Sequence, residues 1–316
     1  MSDVTTADIA RLREIRATDP GMIGTALRER RRRPLLEGDN KLFIVAADHT
    51  ARGALGVRGD SLAMSDRGEL LRRLVVALER PGVDGVLGTP DILEDLALLG
   101  ALDGKVVVGS MNRGGLQGAS FEMDDRFTAY SAQSIVDARF DFAKLLVRIN
   151  LADPGTADTI EATARAVTAS AALSLPIMLE PFVSEWVDGR IVNDLSTEAV
   201  IKSVAISSGL GESTAYSWLK LPVVDDMERV MAATTLPTLL LGGDPAARPS
   251  RRTRSGRRHS SNPASAASLW AAPFCTPRTA MSQVQSISPR GWSMPASPPS
   301  PTPSSFIPHD RSEVAQ

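Results

Sequence analysis

From residue 41 onward, short apolar runs rich in β-branched residues alternate with longer stretches of helical periodicity. The runs are "KLFIVAAD" (41–48), "VDGVLGTP" (83–90), "KVVVGSM" (105–111), "FAKLLVRIN" (142–150), "LPIMLEPF" (175–182), "YSWLKLPVV" (216–224) and "LPTLLLGG" (236–243). Between them, "RGELLRRLVVALERPG", "TADTIEATARAVTASAALS" and "DDMERVMAAT" carry helical patterns. Strands buried on both faces read as near-continuous apolar runs, and their alternation with helices implies βαβ units and a parallel sheet. Seven such runs spaced about 30 residues apart predict a (β/α)8 TIM barrel rather than a doubly wound sheet.

The rhythm has edges on both sides. Residues 6–33 read as two helices broken at "DPG", the second ending in "RERRRRP". The arginine run is expected to be a solvated helix end whose cations suit the negative end of the dipole, with an acidic or nucleic-acid partner as the alternative. Extrapolating the repeat puts an eighth strand near 265–275, where the chain instead reads "PASAASLWAAPFCTP". Residues 246–316 hold 15 Ser, 11 Pro and nine Arg, a low-complexity composition expected to be disordered. The predicted organisation is therefore an N-terminal helical segment (1–40), a barrel domain (41–245) that lacks its last βα unit, and a Ser/Pro/Arg-rich tail (246–316). Translation of a GC-rich gene in the wrong frame would yield such lysine-free text, so a frameshift near codon 246 is one account of the tail. A genuine basic tail, able to bind nucleic acid electrostatically, is the other.

Composition narrows the chemistry. At 43% hydrophobic and 23% charged residues, the chain reads as a globular protein, and no apolar run approaches the roughly 18–20 residues that span a bilayer. The first residues, "MSDVTTADIARLREIRATDPG", contain no apolar core of a secretory signal. Cys275 is the only cysteine, which rules out an intrachain disulfide and makes the cytoplasm the expected compartment. His49 is the only histidine before His259 and His309, so a zinc site built from the usual His and Cys ligands is not expected. The net charge of −2 hides an asymmetry: the tail has nine Arg against two acidic residues, leaving 26 basic and 35 acidic residues in 1–245.

Strand alternation then asks which polar residues face inward together. Lys144, Leu146, Arg148 and Asn150 share one face; so do Met178, Glu180 and Phe182; so do Trp218, Lys220 and Pro222; and so do Ile44, Ala46 and Asp48. If these are the interior faces, Asp48, Lys144, Glu180 and Lys220 meet in one mouth. Lysine is seldom buried without a partner or a purpose. A lysine made neutral by desolvation or a neighbouring ammonium can attack a carbonyl and form a Schiff base, with a carboxylate moving the protons. Structural readings compete. Lys220 could snorkel out of the barrel end, Lys144 could be only a partner of Glu180, Asp48 could cap the next helix, and His49 reads as a supporting group rather than a base.

The motifs that carry these residues resemble a known family. "IVAADHTARGAL" is similar to the first-strand Asp motif of the class I aldolases related to tagatose- and fructose-bisphosphate aldolase and deoxyribose-phosphate aldolase. "FDFAKLLVRIN" resembles their fourth strand with its active-site lysine, "IMLEPF" their fifth with its glutamate, and "AYSWLKLPVV" their sixth, which bears the Schiff-base lysine. The resemblance covers about residues 40–245. It implies a cofactor-free lyase that cleaves a phosphorylated ketose or deoxy-sugar, with Lys220 as nucleophile and Asp48, Lys144 and Glu180 in proton transfer or orientation. "LLLGGDP" resembles the family's glycine turn, which makes Gly242 and Gly243 phosphate-binding candidates. Arg52 and Arg113 are further anion-binding candidates. The resemblance implies a phosphorylated sugar as the partner, with no metal, no membrane and no expected nucleic acid. Members of that group often self-associate, which leaves a homo-oligomer open. Two rival functions stand beside this one: a metal-free sugar-phosphate isomerase or epimerase, and an inactive truncated barrel with a basic interaction tail.

Overall fold

In a computed structural model the described residues are 4–57, 59–112 and 115–241. Seven parallel strands form the frame: β1 (Ile44–Ala46), β2 (Gly85–Gly88), β3 (Val106–Ser110), β4 (Phe142–Ile149), β5 (Ile177–Val187), β7 (Ser217–Pro222) and β8 (Thr238–Leu241). Their order in the sheet follows the chain, β1-β2-β3-β4-β5-β7-β8. A further strand, β6 (Arg190–Asn193), folds back antiparallel on the end of β5. The result is a curled parallel α/β sheet of the type the apolar rhythm predicts. Among the described residues, β8 and β1 are not paired with each other. The expected eighth strand near 265–275 lies outside the described residues.

The helices follow their local signals. Thr5 and Asp8 form a capping box at α1 (Thr6–Thr18), and Asp19 and Pro20 separate it from α2 (Gly21–Glu29), as the "DPG" break predicts. Asp66 caps α3 (Arg67–Leu78) through the Glu69 N–H, while Pro90 at the start of α4 (Pro90–Leu98) fixes the first-turn φ. Ser131 and Ser134 cap α5 (Ala132–Asp137), and Ser196 caps α7 (Thr197–Ser208). The predicted helical stretches after the fourth and sixth strands appear as α6 (Gly155–Ala172) and α8 (Met227–Ala232). Among the described residues no helix is long and apolar enough to cross a membrane.

Two apolar layers separate along the alternation of each strand. Val45, Val86, Val107, Ala143, Leu145, Ile177, Leu179, Leu219 and Leu221 point outward and pack with helical Leu71, Leu74, Ile92, Ile135 and Val204. Leu87, Val106, Val108, Phe142 and Met178 point inward and pack with Ile44, Ala46, Trp218 and Leu239. A Cβ at Gly85 would overlap the Val106 carbonyl, so only glycine lets β2 lie against β3 there.

The arginine run is solvated only in part: Arg28, Arg31 and Arg32 are exposed, but Arg30 and Arg33 are not. Arg30 is 5% exposed, stacks over the Phe140 ring at 5.9 Å, and pairs with Asp141 at 3.4 Å. Arg32 reaches the same carboxylate at 2.7 Å, and Arg33 pairs with Asp84 at 2.7 Å. Asp141 immediately precedes β4 and Asp84 immediately precedes β2, and each also accepts a backbone N–H, from Val107 and Phe43 respectively. The run is thus a clasp that ties the segment after α2 across the N-terminal ends of three strands. Residues whose charges are matched by buried acids give no signal of this in composition alone.

Candidate functional site

The polar layer of the sheet sits one pleat above an apolar floor. Phe142 and Trp218 meet edge-to-face at 5.1 Å, with Val108 and Met178 beside them. Two residues further along the same faces come Lys144 on β4, Glu180 on β5, Lys220 on β7 and Ser110 on β3. Register fixes their heights: Lys144 is level with Ser110 and Met178, Leu146 with Glu180, and Lys220 with Leu239.

Asp48 follows β1 at the start of a 3-10 turn, His49–Arg52, and its side chain makes no cap hydrogen bond to that turn. Its Oδ2 instead accepts from Lys144 Nζ at 2.9 Å and from Ser110 Oγ at 3.1 Å. Lys144 Nζ also lies 2.8 Å from Glu180 Oε2. The second oxygen of Glu180, Oε1, accepts from Lys220 Nζ at 2.9 Å. The four sequence-predicted residues Asp48, Lys144, Glu180 and Lys220 are therefore one continuous chain of alternating charge.

Electrostatics ranks the members. Burial pushes the Glu180 carboxyl up, but the Lys144 and Lys220 ammoniums outweigh it and hold it at about 2. Burial also opposes ionisation of Asp48, and Lys144, His49 and Lys220 pull it well below the usual carboxylate range. Lys144 feels the reverse: burial disfavours its charge, yet Asp48 and Glu180 together raise it above the usual lysine value. Burial lowers His49, Asp48 only partly offsets this, and Arg52, Lys220 and Lys144 lower it further. Lys144 is a fixed cation between two fixed anions, with a side chain 4% exposed. The Lys220 side chain has a single carboxylate partner in the site and is 15% exposed.

Neighbouring residues that the sequence reading passed over complete the walls. Asn112 extends the β3–β4 ladder with its side chain, donating to the Leu146 carbonyl at 2.8 Å and accepting from its N–H at 2.9 Å. Ser110 continues the inward parity of Val106 and Val108, a signal that was available. The β5–β6 hairpin turns at Asp188 and Gly189, both with positive φ, and "WVDGRI" carries the Asp-Gly signal of a tight hairpin. It also places Arg190 near Arg52 and Arg148 around a cavity of about 470 Å³. Arg52 thus lines a cavity, whereas Arg113, Gly242 and Gly243 lie outside the described residues. Among the described residues, no group of three or more His, Cys, Asp or Glu is disposed to hold a metal ion.

Comparison with known proteins gives the lineage. The model of the Cgl0159-like family matches residues 40–267. The crystal structure of Cgl0159 from Corynebacterium glutamicum is 63% identical, with a TM-score of 0.75, over 77% of this chain and 83% of that one. A Schiff-base-forming fructose-1,6-bisphosphate aldolase is far more distant, at 19% identity and a TM-score of 0.47 over 70% of this chain and 80% of that one. An archaeal fructose 1,6-bisphosphate aldolase stands at the same distance, with the same values. No curated protein matches. A family model that spans most of the chain, together with a solved relative 63% identical over 77% of it, establishes that this protein belongs to the Cgl0159-like family.

Proposed function

We propose that the protein is a class I aldolase that cleaves a phosphorylated ketose or deoxy-sugar through an imine on Lys220. The observation that carries this reading is the inequality of the two lysines. Lys144 is buried and locked between Asp48 and Glu180, whereas Lys220 shares one carboxylate and keeps an exposed edge toward the mouth. Only the second has both a proton acceptor within reach and a path to a substrate carbonyl. The motif resemblance of the four strands points the same way, and the curled sheet fits the C-terminal mouth of a (β/α)8 barrel, where active sites of that fold lie.

In this mechanism Glu180, 2.9 Å from Lys220, relays the proton that the amine must lose before it attacks, holding it only transiently. The neutral amine adds to the carbonyl carbon, and the carbonyl oxygen takes one proton from the attacking nitrogen and a second from the protonated Glu180 and leaves as water. The resulting iminium accepts the electron pair of the scissile C–C bond while a carboxylate of the site removes the proton of the adjacent hydroxyl. The aldehyde product departs, the enamine is protonated on carbon, and hydrolysis restores Lys220. Lys144 stays charged throughout and stabilises negative charge as it develops on the oxygens above it. The apolar floor of Phe142, Trp218 and Met178 limits water beneath the amine.

Borohydride reduction in the presence of fructose 1,6-bisphosphate, tagatose 1,6-bisphosphate or deoxyribose 5-phosphate tests the reading. Substrate mass should be fixed on Lys220 in the digested protein. Turnover without such a label would leave an isomerase or epimerase working by proton transfer alone, and a label on Lys144 would reverse the assignment of the two lysines.

A further inference from the structure

Three arginines converge on the cavity beside the lysine pair from separate parts of the chain. Arg52 comes from the turn after β1, Arg148 from the inner face of β4, and Arg190 from the β5–β6 hairpin. Gln117 and Asn193 add amides to the lining, and among the described lining residues Glu122 is the only carboxylate. The cavity adjoins the lysine site: Arg148 lies two inward positions beyond Lys144 on β4 and is level with Phe182, the inward residue that follows Glu180 on β5.

Its walls are built rather than accidental. Gln117 N–H donates to the Arg52 carbonyl at 2.9 Å, tying the loop after β3 to the turn after β1. Glu122 accepts from Gly118 N–H at 3.0 Å and lies 3.5 Å from Arg148. That loop passes so close that a Cβ at Gly115, which has φ +81°, would overlap Arg148 and Glu122. The hairpin is held by Ser184 donating to Asn193 at 2.8 Å and by Trp186 donating to Asp153 at 2.5 Å.

Three guanidinium groups against one carboxylate leave the lining with a net positive charge of about two, on a partly enclosed surface. Like charges held together in a cleft raise the local concentration of an anion, and planar guanidiniums match the paired oxygens of phosphate and carboxylate.

We infer that the cavity formed by Arg52, Arg148 and Arg190 binds an anionic group, phosphate or carboxylate, at the end of the substrate remote from the imine carbon. This rests on the aldolase reading for its account of the substrate, but the binding site itself does not. A substrate held there carries charge at that end, and the β5–β6 hairpin selects it by supplying Arg190. Arg190 is exposed and lies on a surface hairpin, so its replacement leaves the packed layers intact.

Titration of the full-length chain with inorganic phosphate, and separately with acetate, at constant ionic strength tests this by thermal shift. The wild-type protein should be stabilised saturably, and Arg190→Gln should weaken the apparent affinity about tenfold or more. Lys220→Met should leave it unchanged. Saturation by phosphate but not acetate identifies a phosphate pocket, and the reverse identifies a carboxylate pocket. No saturable binding by either anion, or binding that Arg190→Gln leaves intact, overturns the inference. Borohydride trapping on the wild-type protein, set beside its anion titration, keeps the two ideas apart. An imine on Lys220 without anion binding would remove the pocket and leave the aldolase. Anion binding without an imine would do the opposite.

Discussion

Lys144 and Lys220 share the Glu180 carboxylate, Lys144 at 2.8 Å from one oxygen and Lys220 at 2.9 Å from the other. Glu180 is therefore both the link that fixes the buried cation and the base nearest the proposed nucleophile. Glu180→Gln keeps the shape but loses the charge and the proton-accepting oxygen. The expected result is imine formation slowed by about 100-fold or more in single-turnover borohydride trapping, the usual scale of general acid–base catalysis. A trapping rate equal to wild type would leave Glu180 as a structural bridge only.

The two lysines should separate in opposite assays. Lys220→Met removes the proposed nucleophile from a partly exposed position and should abolish trapping and turnover while preserving the fold. Lys144→Met leaves Asp48 and Glu180 buried without the cation between them, a loss expected to cost about 3–5 kcal/mol in urea unfolding. The proposed division of labour fails if Lys144→Met is as stable as wild type.

The same carboxylates set an acid limit to stability. Glu180 is held at about 2 and Asp48 also lies below its usual range, whereas in the unfolded chain both titrate near 4. A carboxylate with a depressed folded value stabilises the fold above its unfolded value, and that contribution is lost as pH falls toward the folded one. Urea midpoints should hold from pH 7 to about 5 and then drop between about pH 4 and 2, with Glu180 supplying on the order of 3 kcal/mol of the loss. Lys144 acts at the other end: its raised value stabilises fully below about pH 10 and is lost as pH rises through the folded value. A midpoint independent of pH between 5 and 2 would show that the polar layer contributes no net stability.

Much of this arrangement was legible in the sequence because buried parallel strands leave a strong signature. Near-continuous apolar runs located all seven parallel strands, and period-two alternation placed Asp48, Lys144, Glu180 and Lys220 on the inner faces where the structure has them. Long-range pairing was not legible. Arg30, Arg32 and Arg33 looked like a solvated run because Asp84 and Asp141 lie more than 50 residues away in sequence. Arg190 has no apolar signal of its own: the apolar run ends at Phe182, while the strand continues to Val187 and only "WVDGRI" marks the hairpin beyond it. Arg148 showed its inward parity but not its role, which appears only when the hairpin and the loop after β3 close around it.

The clasp makes its own prediction. Asp141 receives Arg30, Arg32 and the Val107 N–H, and the Arg30 side chain is 2% exposed. Asp141→Ala strands that guanidinium without its counter-charge, and a loss of about 3–5 kcal/mol is expected in chemical denaturation. Arg32→Ala removes the more exposed partner and should cost less than about 1 kcal/mol. Equal effects from the two substitutions would mean that burial is not what gives the clasp its strength.

The hairpin can be loosened without touching an arginine. Trp186 Nε1 donates to Asp153 Oδ2 at 2.5 Å, and Asp153 Oδ1 accepts from Gly155 N–H at 2.9 Å, so one carboxylate anchors both the start of α6 and the strand that carries Arg190. Trp186→Phe keeps an aromatic ring but deletes the donor, removing a charge-assisted bond at a modest stability cost of about 1–2 kcal/mol. Because the lysine layer lies deeper in the sheet, chemistry on a bound substrate should be little changed. Placement of the remote anion should suffer, since Arg190 rides on the freed hairpin. The expected kinetic signature is a raised KM for a substrate charged at that end, with kcat within about twofold of wild type. A fall in kcat with KM preserved would instead put the hairpin's influence on the lysine layer itself.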